Sequence, residues 1–139
     1  MSILDTNVLS EAFKPSPSKV VLAWLAAQEP LSVFTTTVTQ AEVLYGIEML
    51  PAGKRRSALA AAVDRVFAAE FRSRILPFDE DAARAYPIIV AARNDLGRPI
   101  SQFDAMIAAI TRSRRASLAT RNTKDFEECD LRIINPWTA

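Results

Sequence analysis

The chain has 139 residues, half of them hydrophobic, with 17 Lys and Arg against 16 Asp and Glu and a formal charge of +1. That size and composition suit one packed domain over 1–139 and exclude a disordered polar chain. The balanced charge gives no whole-chain attraction to polyanions.

Ser2–Asp5 reads as a short buried strand and Thr6–Phe13 as a helix that stops before Pro15. Ser18–Gln28 is helical, Leu31–Thr35 is a strand, and Val38–Leu50 is a helix closed by Pro51. Arg55–Phe71 is a long Ala-rich helix with Leu59, Val63, Val66 and Phe67 on its apolar stripe. Ser73–Pro77 is a third strand. Glu80–Leu96 is a helix that Pro87 is expected to kink, ending at Gly97-Arg98-Pro99. Ser101–Arg114 is the last helix, and Ala116–Thr120 and Leu131–Ile134 are the last strands. Strands alternating with helices imply an α/β domain with a parallel sheet covered on both faces. No apolar run reaches the roughly 20 residues of a membrane span, and the first residues enter a strand-like run directly, without the basic and long apolar regions of a secretory signal. The expectation is a soluble cytoplasmic protein with no membrane partner.

There is no histidine, and Cys129 is the single cysteine. Imidazole chemistry and an intramolecular disulfide are thus excluded, and a His/Cys zinc site has no basis. If the protein hydrolyses anything, a hard cation held by oxygen is the natural route left. Asp5, Glu42 and Asp104 each stand alone at the edge of an apolar stretch, in ILDTN, TQAEVLYG and PISQFDAMIAA. Asp5, Asn122 and Asp125 follow strands, and Glu42 follows the second strand. Ligands in parallel sheets bind beyond that carboxyl edge, so the fold reading sets these groups side by side.

A structural role competes at each position. Asp5 can cap a helix, Thr39-x-x-Glu42 and Ser101-x-x-Asp104 match capping boxes, and Asn122-x-x-Asp125 matches an N-cap with an acid at its third residue. Against this, Glu42 shares a helical face with Val38, Tyr45 and Met49, and Asp104 is flanked by Phe103, Ala105, Ile107 and Ala108. Carboxylates gathered in a partly buried cleft should titrate high, a cost that a divalent cation removes. Basic groups stand at Lys54-Arg55-Arg56, Arg112–Arg115, and Arg121 with Lys124; a phosphate-bearing partner needs two or more beside the acids.

The strings ILDTN, TQAEVLYGI, GRPISQFDAMIAA and LATRNTKDF, in this order and followed by INPW, resemble the PIN-domain nucleases. More narrowly they resemble the VapC-type toxins of toxin–antitoxin pairs, including the FitB-like branch. The resemblance implies a three-layer α/β/α PIN-like domain with a short parallel central sheet. It also implies an endoribonuclease dependent on Mg²⁺ or Mn²⁺. By resemblance, Asp5 and Asp104 are the main metal ligands, Glu42 completes the acidic set, Thr6 bonds within the metal shell and Asn7 holds the Asp5 loop. The fourth position stays open between Asn122, which is neutral, and Asp125. The implied partners are RNA, a cognate antitoxin, a second copy of the chain, and operator DNA through the antitoxin. Trp24, Leu25 and Tyr45 are candidates for the antitoxin groove, and Arg121 and Lys124 for phosphate contacts. An Asp-nucleophile phosphatase would share the fold and the metal, but its usual second acid is replaced by Asn7. A silent binding module is the remaining alternative.

Overall fold

The computed structural model describes residues 1–139. Its five strands are β1 (Ser2–Leu4), β2 (Val33–Thr36), β3 (Ile75–Leu76), β4 (Ser117–Ala119) and β5 (Arg132–Ile134). All pair in parallel, in the order β3-β2-β1-β4-β5. The six α-helices are α1 (Thr6–Glu11), α2 (Lys19–Ala26), α3 (Thr37–Glu48), α4 (Lys54–Arg65), α5 (Glu80–Asp95) and α6 (Gln102–Ser113).

Alternation along each short strand builds the layers, because successive side chains point to opposite faces. Ile3, Phe34, Leu76 and Leu118 pack with Ala82 and Ile89 of α5 and Ile107 and Ile110 of α6. Their neighbours Leu4, Val33, Ile75 and Ala119 pack the other way, with Leu9 of α1, Val21 of α2 and Val63 of α4. Helix α3 contributes to both cores, through Val38 and Ile47. This is the expected three-layer arrangement. With both faces covered, the strands read as near-continuous apolar runs.

The departures from expectation are local. Residues Pro30–Ser32 form a 3₁₀ turn, leaving Leu31 three-quarters exposed, so β2 starts two residues late. Proline at the first turn position has no N–H to give a ladder. β3 keeps two residues because Ser73 sits at φ 65°, which ends extended backbone there. The long fourth helix turns to π geometry over Val66–Glu70, with Phe71 N donating to Val66 O at 2.9 Å. The wider turn brings residues four apart closer to one face, and Phe67 and Phe71 are both buried. Helix α5, by contrast, runs through Pro87 over essentially the expected span.

Candidate active site

The sheet order reverses between β1 and β4: the chain winds outward from β1 to β2 and β3, then returns to β4 and β5 on the other side. A crevice opens at the carboxyl end of such a switch point. Asp5 stands at its centre. Its N–H donates to Ala119 O at 2.9 Å, extending the ladder one residue past β1 and fixing where the side chain starts.

The Asp5 carboxylate is 4% exposed and accepts three hydrogen bonds: from Thr6 N (2.8 Å), Thr120 Oγ1 (2.8 Å) and Asn7 Nδ2 (3.1 Å). Burial nevertheless pushes it above the usual carboxylate range, and the nearby Glu42 charge adds to the push, against those three bonds. Thr120 is a hub at the end of β4. Its oxygen also receives Asn7 Nδ2 (3.2 Å) and Asn122 N (3.1 Å), while Asn7 Oδ1 accepts from Arg121 N (3.0 Å). These bonds lock the β1 and β4 ends together.

Glu42 enters from the second turn of α3, half-buried. Thr6 Oγ1 donates to its Oε1 at 2.7 Å and lies 3.2 Å from Thr39 Oγ1. Asp104 enters from the first turn of α6, where Ser101 Oγ accepts its backbone N–H at 3.2 Å. Burial raises the Asp104 carboxyl, and the charges of Asp5 and Asp125 raise it further; the Ser101 hydroxyl and the Arg93 charge oppose them. The fold therefore brings Asp5 within electrostatic reach of both Glu42 and Asp104, across 37 and 99 residues of sequence. Asp125 is exposed at the rim, in the 3₁₀ turn Thr123–Phe126.

The capping roles divide. Asp5 caps α1 and Ser101 caps α6 as expected. The Thr39-x-x-Glu42 box does not form: Thr36 caps α3 through Thr39 N, leaving Glu42 past the first turn and free to meet Thr6. Asn122 makes no side-chain cap bond; it is exposed and anchored by its backbone to Thr120. Tyr45 and Met49 are each 66% exposed, so the α3 face turns to solvent beyond Glu42. Nor do Trp24, Leu25 and Tyr45 share one groove, since Trp24 and Leu25 pack on the α1/α2/α4 core. Arg112–Arg115 precede β4 and so lie at the opposite end of the sheet from the acids. Arg121 does flank the site, its guanidinium 4.9 Å over the Trp137 ring. Thr120 went unrecognised in the sequence; a lone hydroxyl closing the apolar run of β4 was its only signal.

The donor set is all oxygen, with no histidine in the chain and the one cysteine, Cys129, buried beside Arg93. No three acidic, histidine or cysteine side chains lie close enough to enclose a metal by themselves. Mg²⁺ rarely needs such a cage: one or two carboxylates, water and substrate phosphate suffice. Two acids raised by burial and by neighbouring acidic charge fit that demand, because a cation relieves both costs.

The PIN domain family matches residues 2–130. The chain is 39% identical over 137 residues to VapC ribonuclease Y4jK of Sinorhizobium fredii, covering 99% of this chain and 98% of that one. It is 36% identical over 137 residues to toxin FitB of Neisseria gonorrhoeae, covering 99% of each. The structure of FitAcB from Neisseria gonorrhoeae superposes with a TM-score of 0.95 at 35% identity, over all of both chains. Likeness over the full length, in sequence and in fold alike, means that this chain belongs to the PIN-domain family, in its branch of VapC- and FitB-type ribonuclease toxins.

Proposed function

We propose that this chain is the toxin of a toxin–antitoxin pair and cleaves RNA endonucleolytically with Mg²⁺ or Mn²⁺. The observation that carries this reading is the placing of Asp5 and Asp104 at the switch point, where Asp104 feels the charge of Asp5 and each carboxyl is raised by burial first and by neighbouring acidic charge second. Asp5 and Asp104 would hold the metal, with Glu42 completing the set directly or through water. A bound divalent ion supplies Lewis-acid activation of water and charge neutralisation on the phosphodiester.

The chain's own residues do the remaining work. Thr120, Thr6 N and Asn7 fix the position of the Asp5 carboxylate at the end of β1. Glu42, held by Thr6, is placed to orient the attacking water and accept its proton. Arg121, spread over Trp137 at the rim, and Lys124 offer positive charge to the substrate phosphates. Asn122 and Asp125 are the candidates for the fourth site position, Asn122 through its amide and Asp125 through its charge on Asp104.

A cognate antitoxin is the expected partner, because the FitAB and VapBC assemblies that this fold resembles contain one, and some are bound to DNA. A cleft of about 290 Å³ between α1, α3 and α4 supports such docking: it begins at Glu42 and is lined by Phe13, Val43, Ile47 and Leu59. A basic antitoxin side chain laid along it would reach the acids. Operator DNA would be met through that antitoxin, and a homodimer is the expected assembly, testable by sedimentation. No helix is long and apolar enough to cross a membrane.

The deciding experiment incubates the antitoxin-free chain with total RNA in Mg²⁺, Mn²⁺ or EDTA, beside Asp5→Asn. Discrete cuts that need metal and Asp5, leaving 5′-phosphate and 3′-hydroxyl ends, are expected. Ends with 2′,3′-cyclic phosphate would overturn the water-attack reading.

A further inference from the structure

We propose that Arg93 is a positioning residue for the acidic site, one guanidinium that ties the turn leading into Asp104 to the loop carrying Asn122 and Asp125. The role rests on the nuclease reading above, but its structural half stands apart from it.

Arg93 lies in the last turn of α5 and is 4% exposed. It makes none of the chain's seven ion pairs. A buried charge is costly unless its donors are satisfied, and here backbone carbonyls and one thiol satisfy them. Nε donates to Arg98 O at 2.7 Å, in the turn between α5 and α6. Nη1 donates to Asp125 O at 2.7 Å and Glu127 O at 3.1 Å, with Cys129 Sγ 3.7 Å away. The two segments are thus held by the two sides of one planar fork. An exposed pair, Arg98 with Glu127 at 2.8 Å, joins the same segments from outside.

The loop after β4 needs an outside hold: it contains Glu128 at φ 62° and Asp130 at φ 55°, left-handed positions without glycine. Such backbone persists where its surroundings over-determine it. The α5–α6 turn passes through Gly97 at φ 68°, which glycine adopts freely, so there the Arg93 bond adds direction and relieves no strain. Helix α6 starts four residues after Arg98, so the Arg98 carbonyl bond fixes how Ser101 and Asp104 are presented. The Asp125 and Glu127 bonds fix how far the 3₁₀ turn reaches toward them. The Arg93 charge is also felt at Asp104. Lysine would keep the charge but not the fork, since an ammonium is a compact point of donors that cannot span both carbonyl sets.

The test uses Arg93→Lys and Arg93→Gln in the full chain, with circular dichroism, amide NMR and single-turnover and steady-state RNA cleavage. In a folded variant, amides of 99–105 and 121–128 should shift or broaden while those of β1 and β4 hold. The kcat should fall about 10–100-fold, the usual cost of losing a residue that orients ligands, with KM within about threefold. A purely structural role would instead lower activity only in proportion to the folded fraction. Unmoved loop amides, wild-type kcat in a folded variant, or failure of both variants to fold would each overturn the proposal. If wild-type protein cuts no RNA, the nuclease reading fails by itself, and the loop amides still decide whether Arg93 positions these segments.

Discussion

At its carboxyl end the sheet carries Asp5, Glu42, Asp104 and Asp125; at its amino end it carries Arg112, Arg115 and Arg132 by β4 and β5, and Arg74 at the far edge by β3. Each end thus carries like charges, yet their treatment differs. The arginines are dispersed over an open cleft of about 610 Å³ lined by Arg112, Arg115 and Arg132, with Asp130 3.5 Å from Arg112. Arg74 spends its donors on carbonyls, including Pro30 O at 2.8 Å. The acids are instead drawn in from solvent, Asp5 almost completely, and burial first, then neighbouring acidic charge, raises Asp5 and Asp104 above the usual carboxylate range. A fold tolerates repulsion of that kind where something else is meant to bind, and a net charge of +1 conceals it entirely.

The comparison breaks most readily at Asp5. Asp5→Asn should lower RNA cleavage by more than about a hundredfold, beyond the range of outer-shell changes, while the circular dichroism spectrum is kept. Full activity in a folded Asp5→Asn protein would empty the carboxyl end of its meaning. Next, Thr120→Val removes the hydroxyl that aims Asp5, and a loss of about 10–100-fold in kcat is expected from steady-state cleavage assays.

At Asp104 the capping and chemical roles separate. Ser101→Ala should cost about 1 kcal/mol in urea unfolding with cleavage largely retained, since a lost N-cap is a stability effect. Asp104→Asn keeps the backbone cap and should lose cleavage. It should also be the more stable protein in EDTA near neutral pH. The folded Asp104 carboxyl holds its proton above the ordinary value of 3.8, so its favourable contribution is complete below that pH and is lost as pH rises through the raised value. The Tm gap between Asp104→Asn and wild type should therefore close as pH falls toward 4, and Mg²⁺ near neutral pH should close it by stabilising the wild type. A shift of about 1 kcal/mol amounts to roughly 4 °C in a domain of this size. The smallest effect belongs to the other end: Arg115→Ala should stay within about 0.5 kcal/mol of wild type and cleave short RNA unchanged.

The strands and helices were legible because their periods were clean. Ile3 and Leu4, or Leu118 and Ala119, could be read as buried pairs without knowing which face each served. Boundaries failed where a tertiary demand overruled a local signal, as in the π turn that buries both Phe67 and Phe71, or the 3₁₀ turn at Pro30. The capping match at Thr39 was a true pattern that Thr36 claimed first, one turn earlier. Arg93 gave no signal at all: at a helix C-terminus an arginine suits the dipole, and nothing local says that its guanidinium turns inward.

The sequence by itself determined the alternation of strands and helices, the absence of imidazole, and the separate acids Asp5, Glu42 and Asp104, because composition and periodicity are properties of neighbours along the chain. Only the tertiary structure decided that Thr120 would hold Asp5, that Thr6 would hold Glu42, and that one buried guanidinium would fasten two loops. Those contacts join residues 115, 36 and 32 positions apart. Their partners are chosen by where the parallel sheet reverses its order, which no local pattern encodes.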